Sequence, residues 1–142
     1  MSIPQPSLDR APRPVSPAPL RVIVADAYAA TRDVIEQVLA GERRFSVVGT
    51  AATLEETLHL LEESEPDILL VDPWLSGPAG LPACLAAKQF RPHLLLVALL
   101  PDEREDYRRA AQAVGADAAL QKRQIARRLV STLQDVLRTR RQ

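Results

Sequence analysis

Cysteine is almost absent from this chain, and no apolar run is long enough to cross a membrane. The single cysteine, Cys84, excludes a disulfide within the chain and a structural zinc site built from several cysteines. A membrane-spanning helix needs about 18 consecutive apolar residues. The N-terminus also lacks the apolar core of a signal peptide. We therefore expect a soluble, cytoplasmic protein without membrane contacts.

The chain has no net charge, but acidic and basic residues are distributed unevenly along it. Residues 20–120 carry nine Lys/Arg against sixteen Asp/Glu, a balance of −7. Residues 121–142 carry seven Lys/Arg against one Asp, a balance of +6. Basic ends can bind nucleic acid or membranes. Here the basic residues share a predicted helix with an apolar stripe, which favours a solvated helix face.

The first nineteen residues contain little that could pack in a core. Residues 1–19 include six prolines and are predicted to form an extended, disordered arm. Such an arm could bind an SH3-like partner, but no Pro-x-x-Pro core flanked by aromatic or ordered basic residues makes that specific, so a tail or linker is favoured. The predicted folded domain is 20–140. No DNA-binding helix-turn-helix follows it, so we expect no direct DNA binding.

Two apolar runs end in aspartate. Residues 21–26 end at Asp26, and residues 67–72 end at Asp72. Continuous apolar runs are typical of parallel strands that are covered on both faces. A further strand candidate ends near Leu120 and is followed by Lys122. Because the carboxyl ends of parallel strands open onto one crevice, we expect the two carboxylates and the ammonium to lie within ion-pair reach.

Strand and helix signals alternate from Leu20 onward. The predicted strands are 21–26, 45–50, 67–72, 94–99 and 118–120. The predicted helices are about 31–40, 53–64, 81–89, 102–115 and 123–139. Five successive strand–helix units predict an α/β fold with a doubly wound parallel sheet and right-handed crossovers.

Capping patterns set the expected starts of two helices. Thr53 with Glu56 forms a capping box for helix two. Asp102 with Glu105 has the same spacing at the start of helix four. A glycine follows the predicted ends of helices one and four, as is common at helix C-termini.

Five segments of the chain have a distinctive order and spacing. They are Arg-Val-Ile-Val-Ala-Asp at 21–26 with Arg32 downstream, Phe-Ser-Val-Val-Gly-Thr-Ala at 45–51, Pro-Asp-Ile-Leu-Leu-Val-Asp at 66–72, Gly77 with Gly80-Leu81, and Gly-Ala-Asp-Ala-Ala-Leu-Gln-Lys at 115–122. Together they resemble a bacterial response-regulator receiver domain, above all the receivers that precede LuxR-type DNA-binding domains. The resemblance covers essentially the whole folded part and implies the flavodoxin-like, CheY-like strand order 2-1-3-4-5.

The resemblance implies a role for each residue of the expected cluster. Asp72 matches the aspartate that accepts a phosphoryl group from a histidine kinase. Asp26 matches the first of two acids that help to hold Mg²⁺, and the backbone carbonyl of Trp74 matches a further metal ligand. Lys122 matches the lysine of strand five. In this interpretation Mg²⁺ is the cofactor, bound through Asp26, Asp72 and the carbonyl of Trp74.

Three positions depart from the pattern that the family implies. Ala27 stands where the second metal acid belongs, and Ala98 stands where a Ser or Thr ends strand four. Ala119 stands where strand five has an aromatic side chain that reorients on activation. Because Mg²⁺ depends on oxygen ligands to offset its dehydration, we expect weak Mg²⁺ binding and weak or absent phosphorylation control.

Simpler roles stay open for each of these side chains. Asp72 could merely cap the loop that follows it, and Asp26 could bond local backbone or pair with Lys122 instead of binding metal. Trp74 is expected to overhang the site and slow water attack. It could equally pack over helix three or stand exposed as an interface anchor. Cys84 is expected to be a small buried residue.

Three functions follow from these observations. The first is an atypical, stand-alone receiver in phosphorelay signalling that acts through protein–protein contacts. The second is a functional phosphoacceptor that takes its phosphoryl group from a sensor histidine kinase with Mg²⁺. The third is a flavodoxin-like nucleotide- or cofactor-binding domain, which the glycine-free loop at 27–31 disfavours. No enzymatic activity is expected beyond turnover of a phosphoryl group on Asp72.

The expected partner is a sensor histidine kinase, another regulator or a second copy of the chain. Helix four, strand five and helix five form the interaction face that the resemblance implies. Opposite charges on this face favour a two-fold dimer. The acidic and basic residues concerned are Glu103, Glu105, Asp106 and Arg109 near helix four, with Arg123, Arg127 and Arg128 near helix five.

Overall fold

A computed structural model describes residues 18–140. Residues 1–17, which make up most of the predicted proline-rich arm, lie outside the described residues. The strands are β1 (Leu20–Ala25), β2 (Phe45–Ala51), β3 (Ile68–Val71), β4 (Leu95–Leu100) and β5 (Ala118–Gln121). The helices are α1 (Ala29–Ala40), α2 (Leu54–Ser64), α3 (Gly80–Phe90), α4 (Glu105–Ala113) and α5 (Ile125–Arg140). Among the described helices, none is long and apolar enough to span a membrane.

The five strands form one parallel sheet in the order β2-β1-β3-β4-β5. The predicted doubly wound fold and strand order are thus confirmed. The pairing of β1 with β2 shifts register between Val22 and Ile23. The other strand pairs keep a regular register across the described ladder.

Successive strand residues pack alternately into two separate apolar cores, one on each face of the sheet. On one face, strand residues pack with Ile35 and Leu39 of α1 and with Leu129 and Leu133 of α5. On the other face, the core includes Leu61 of α2, Cys84 of α3 and Val114 after α4. Fully burying one such aliphatic side chain stabilises a fold by about 1.5–3 kcal/mol. Two covered faces explain why the strands are continuously apolar.

The helix ends follow local chemistry. Thr53 accepts a hydrogen bond from the backbone N–H of Glu56 at 3.2 Å, which confirms the predicted N-cap of α2. The carboxylate of Glu56 reaches one residue further back than in a capping box, because it accepts the N–H of Ala52 at 3.1 Å and not that of Thr53. At the end of α4, Gly115 has a φ of +80° and donates to the carbonyl of Gln112 at 3.0 Å. This left-handed glycine ends the helix where the sequence predicted.

The predicted start of α4 was wrong. Asp102 does not cap the helix, because its carboxylate accepts a hydrogen bond from the N–H of Arg104 at 2.8 Å and closes a turn. The helix begins three residues later, at Glu105. Two short 3₁₀ turns were also missed. They cover Gly77–Ala79 before α3 and Lys122–Gln124 before α5.

An ion pair joins α3 to the start of β5. The ammonium of Lys88 lies 2.7 Å from the carboxylate of Asp117, and the same carboxylate accepts the backbone N–H of Leu96 at 2.8 Å. Both side chains are mostly covered, since 18% of Lys88 and 27% of Asp117 is exposed. The contact fixes the register of β5 against β4.

Candidate acidic site at the carboxyl edge of the sheet

Asp26 and Asp72 each follow directly after a strand. Asp26 donates its backbone N–H to Ala51 at 3.0 Å, and Asp72 donates to Ala25 at 3.0 Å. The parallel ladder therefore continues one residue past β1 and β3. These hydrogen bonds hold the two carboxylates side by side at the crevice.

Lys122 completes the expected cluster. Its ammonium lies 2.8 Å from Oδ2 of Asp26 and 2.8 Å from Oδ2 of Asp72. The predicted convergence of these three residues is confirmed. The side chain of Asp26 is fully buried, whereas 13% of Asp72 and 16% of Lys122 is exposed. Within residues 18–140, Oδ2 of Asp26 has no well-aligned hydrogen-bond donor, so its contact with Lys122 is chiefly electrostatic.

The second oxygen of each carboxylate binds the loop that follows it. Oδ1 of Asp26 accepts the N–H of Tyr28 at 2.9 Å, and Oδ1 of Asp72 accepts the N–H of Trp74 at 2.8 Å. Arg32 donates to the backbone carbonyl of Asp26 at 2.7 Å. The loop-capping role and the pairing with Lys122 are therefore both present in the structure.

Electrostatics favour the charged form of Lys122. Burial alone would lower the pKa of Lys122, but its close contacts with the carboxylates of Asp26 and Asp72 and their negative charges outweigh burial and raise the pKa above its usual 10.5. The ammonium also lies 4.9 Å from the centre of the Tyr28 ring, within cation–π range. Two carboxylates and one aromatic face thus stabilise a single cation.

Trp74 packs towards α4. Its ring lies 4.7 Å from the ring of Tyr107 at an interplanar angle of 72°, an edge-to-face contact. The guanidinium of Arg104 lies 4.9 Å from the centre of the same Tyr107 ring. These contacts are with α4, while packing over helix three, one of the two roles considered for Trp74, stays a prediction. Trp74 and Tyr107 both pack against a small apolar cluster, formed by Ala98 and Leu100 of β4 with Ala111 of α4.

The three departures from the family pattern lie at different depths. Ala27 is exposed, Ala98 is fully buried, and Ala119 is exposed on β5. Ala98 pairs with Val71 and lies inside β4, because the strand continues to the buried Leu100 instead of ending at residue 99. Its neighbours in the apolar cluster include Trp74 and Tyr107.

The residues present do not fit a Mg²⁺ site well. Mg²⁺ requires near-octahedral oxygen coordination. Across residues 18–140, no group of three or more His, Cys, Asp or Glu side chains is arranged to hold a metal. The ammonium of Lys122 lies between the two carboxylates, and the carbonyl of Trp74 accepts the N–H of Gly77 at 2.8 Å. A metal would have to displace the ammonium from both acids.

Sequence reasoning missed the contacts that hold the loop after Asp72. Ser76 has a φ of +60°, and its hydroxyl accepts the N–H of Leu54 at the start of α2, at 3.0 Å. Tyr107 and Tyr28 were also missed as neighbours of the site. No local spacing signals these contacts, since each joins residues far apart in sequence or depends on a loop conformation.

The family comparison gives the geometry its context. The family described as response regulator receiver domain matches residues 22–134. The chain belongs to this family. Receiver domains typically bind Mg²⁺ at their phosphorylation site and interact with kinases and other proteins.

Relatives of known name share parts of this receiver domain. A protein-glutamate methylesterase/protein-glutamine glutaminase 2 from Paramagnetospirillum magneticum is 28% identical over 87 residues, which are 61% of this chain and 25% of that protein. The response regulator GacA from Pseudomonas viridiflava is 32% identical over 62% of this chain and 41% of that protein. The chain thus matches less than half of the length of either relative.

Solved receiver structures share the fold. The non-phosphorylated receiver domain of the stress response regulator RcsB from Escherichia coli has a TM-score of 0.78 and 18% identity, covering 85% of this chain and 95% of that one. At this level of identity the similarity concerns the fold alone. It agrees with the five-stranded parallel sheet of this receiver domain.

We expect Mg²⁺ to bind this receiver domain more weakly than receivers that have both acids after strand one. Ala27→Asp should raise the affinity on the order of tenfold, because a carboxylate adds an oxygen ligand. Trp74 is the only tryptophan, and its backbone N–H donates to the carboxylate of Asp72, so its indole lies close enough to report on the site. Its fluorescence during a Mg²⁺ titration measures the affinity. Ala86→Asp adds the same charge on α3 and should change nothing; tight binding by the unaltered chain would contradict the expectation.

Proposed function

We propose that this receiver domain signals through protein–protein contacts, with weak or absent control by phosphorylation of Asp72. The observation that carries the proposal is the sharing of one ammonium by both carboxylates. Ala27 supplies no further oxygen for a metal. The ammonium of Lys122 already offsets part of the negative charge that would accept Mg²⁺.

The missing hydroxyl supports the same proposal. A switch requires a ligand that binds two conformations with different free energies. Ala98 offers no donor to a phosphoryl oxygen, and a hydrogen bond to such a charged group contributes about 1.5–3 kcal/mol. Ala119 leaves no aromatic side chain to reorient. Two side chains through which a phosphoryl group would favour one conformation over the other are therefore missing, at positions 98 and 119.

A functional phosphoacceptor is the second candidate. The carboxylate of Asp72 is partly exposed, at 13%, and lies 2.8 Å from the ammonium that would offset phosphoryl charge. In this alternative a sensor histidine kinase donates the phosphoryl group with the help of Mg²⁺. Asp26, Asp72 and the carbonyl of Trp74 would then hold the metal.

Acetyl phosphate treatment separates the two candidates. The proposal expects little or no gain of one phosphoryl group in intact-mass spectra, with or without Mg²⁺, because Lys122 competes for both carboxylates. Asp72→Asn serves as the control for labelling at other residues. Rapid, Mg²⁺-dependent labelling that Asp72→Asn abolishes would establish the phosphoacceptor instead.

The output face of the proposal is formed by α4, β5 and α5. Some of the charges on this face form ion pairs within one chain. Arg123 lies 3.8 Å from Glu103, and Arg109 lies 3.9 Å from Glu105. Glu103 precedes α4, and Arg123 lies in the 3₁₀ turn before α5. Such exposed pairs contribute about 0–1 kcal/mol. They occupy some of the charges that a dimer would use, but they are weak enough for those charges to pair across a dimer instead.

The homodimer predicted from the sequence has a direct test. Sedimentation velocity at several salt concentrations should reveal a salt-sensitive dimer whose population is unchanged by acetyl phosphate, because rim charges fix its register. A chain that stays monomeric at low salt would contradict the predicted dimer. A shift in assembly after acetyl phosphate treatment would instead contradict the proposed fixed output face.

A further inference from the structure

The open edge of β5 lies between two grooves. A groove of about 690 Å³ runs along the α4 side, and another of about 430 Å³ runs along the α5 side. Ala118 and Ala119 line both grooves. Their small side chains leave the strand accessible from both sides.

The direction of the backbone hydrogen bonds follows from the residue before β5. Asp117 donates its N–H to Leu96 of β4 at 2.7 Å. Peptide groups alternate in direction along a strand, so Ala119 and Gln121 also face β4. Ala118 and Leu120 therefore direct their N–H and C=O groups to the open edge. These groups can pair with another extended chain.

The edge of β5 lacks the features that usually block strand addition. Natural edge strands are protected by charged side chains, proline or bulges. From Ala118 to Leu120 the strand carries none of these. At the opposite edge of the sheet, by contrast, β2 pairs through a shifted register.

Two arginines give this edge a charge preference. Arg108 of α4 and Arg128 of α5 both line the larger groove. Within residues 18–140, neither has a carboxylate within ion-pair distance. The acids that line the grooves are already paired within the chain: Glu103 with Arg123, Asp117 with Lys88, and Asp135 with Arg138. Positive charge thus remains on both walls of the open edge.

We propose that an extended, acidic segment of a partner protein adds to β5 as a sixth strand, with its carboxylates bound by Arg108 and Arg128. Main-chain pairing provides affinity in such strand addition, and alternate side chains provide specificity. The inference rests on the proposed function, since it names the partner of the same output face. A two-fold pairing of β5 with a second copy would bring the same two arginines of both copies together, which disfavours strand pairing between copies. The homodimer predicted above rests instead on the rim charges of α4 and α5.

Binding of synthetic peptides tests the inference. The probe is a fluorescein-labelled eight-residue peptide of alternating Glu and Val, measured by anisotropy with the full chain at low salt. A peptide of the same sequence with alternate backbone nitrogens methylated keeps the charge but loses the donors for strand pairing. A third peptide has Lys in place of Glu. The inference expects binding of the first peptide only.

Variants of the full chain locate the site. Arg108→Gln and Arg128→Gln should each weaken binding about tenfold, because each loses a charge-assisted hydrogen bond. Arg43→Gln is the matched control, since Arg43 is exposed, precedes β2 at the opposite edge of the sheet and lines neither groove. Ala118→Pro removes an outward N–H and should also weaken binding. The methylated peptide provides the same test if this variant does not fold.

Other outcomes would overturn the inference. Equal binding of the methylated peptide would show charge attraction without strand pairing. An equal effect of Arg43→Gln would show that binding follows the overall charge of the chain and not the edge of β5. Preference for a single-stranded RNA of eight nucleotides would indicate a nucleic-acid surface. Absence of peptide binding would overturn this inference alone, whereas labelling of Asp72 by acetyl phosphate would count against the proposed function alone.

Discussion

Lys122→Met is expected to destabilise this receiver domain by about 3 kcal/mol. The substitution removes the ammonium that lies 2.8 Å from both Asp26 and Asp72, and it leaves the fully buried carboxylate of Asp26 without a cation. An uncompensated buried charge costs far more than the loss of an exposed ion pair. Urea unfolding followed by Trp74 fluorescence measures the free energy of unfolding.

Two controls separate the charge effect from a packing effect. The double variant Asp26→Asn with Lys122→Met removes both members of one ion pair and should recover a large part of the loss. Arg127→Met removes an exposed cation of α5 and should change the free energy of unfolding by less than about 0.5 kcal/mol. An equally small loss for Lys122→Met would contradict the assigned geometry.

The pH dependence of the same ion pairs has a defined sign. Because the pKa of Lys122 is raised in the folded domain, its charge contributes stability fully below the ordinary value of 10.5. That contribution is lost as the pH rises through the folded pKa. Lys122→Met should therefore remove part of the stability loss that the unaltered chain shows in strongly alkaline solution.

Gly80→Ala is expected to cost about 3 kcal/mol, because the new methyl group has no space. A Cβ at this position would lie 2.3 Å from the carbonyl oxygen of Pro73 and 2.8 Å from that of Leu75. Both are backbone atoms of the loop that follows Asp72. Relief of the overlap would move this loop, so thermal unfolding and the fluorescence of Trp74 should both change.

Gly41→Ala is the matched control for this glycine. Gly41 ends α1 with a φ of −81°, and a Cβ there would find its nearest neighbour at 3.8 Å. The substitution should be neutral or stabilise by up to about 1 kcal/mol, because alanine restricts the unfolded chain more than glycine does. Equal losses at the two glycines would show that steric overlap is not the cause at Gly80.

The sheet and the charged cluster could be predicted because their signals are local and repeated. Strands buried on both faces need continuous apolar runs, and Asp26 and Asp72 follow such runs directly. The topology then brings the strand ends to one edge without knowledge of any side-chain contact. Lys122 could be placed because β5 ends one residue before it.

A competing local interaction explains why the predicted start of α4 was wrong. Asp102 and Glu105 have capping-box spacing, but the carboxylate of Asp102 closes a turn onto Arg104 instead. An aspartate can satisfy either backbone donor, and the spacing does not decide between them. The pairing of Trp74 with Tyr107 could not be predicted either, since it depends on how the loop after Asp72 meets α4.

The burial of Cys84 makes this thiol an intrinsic reporter of transient opening. Burial, and then the charge of Asp72, raises the pKa of Cys84 to about 11. Because only the thiolate reacts rapidly with alkylating reagents, the closed molecule is inert near neutral pH. The rate of alkylation then follows the fraction of molecules in which the region around α3 is open. Mass spectrometry of a single thiol can thereby follow the fluctuations of this domain over time, without an added label and without any change to its sequence.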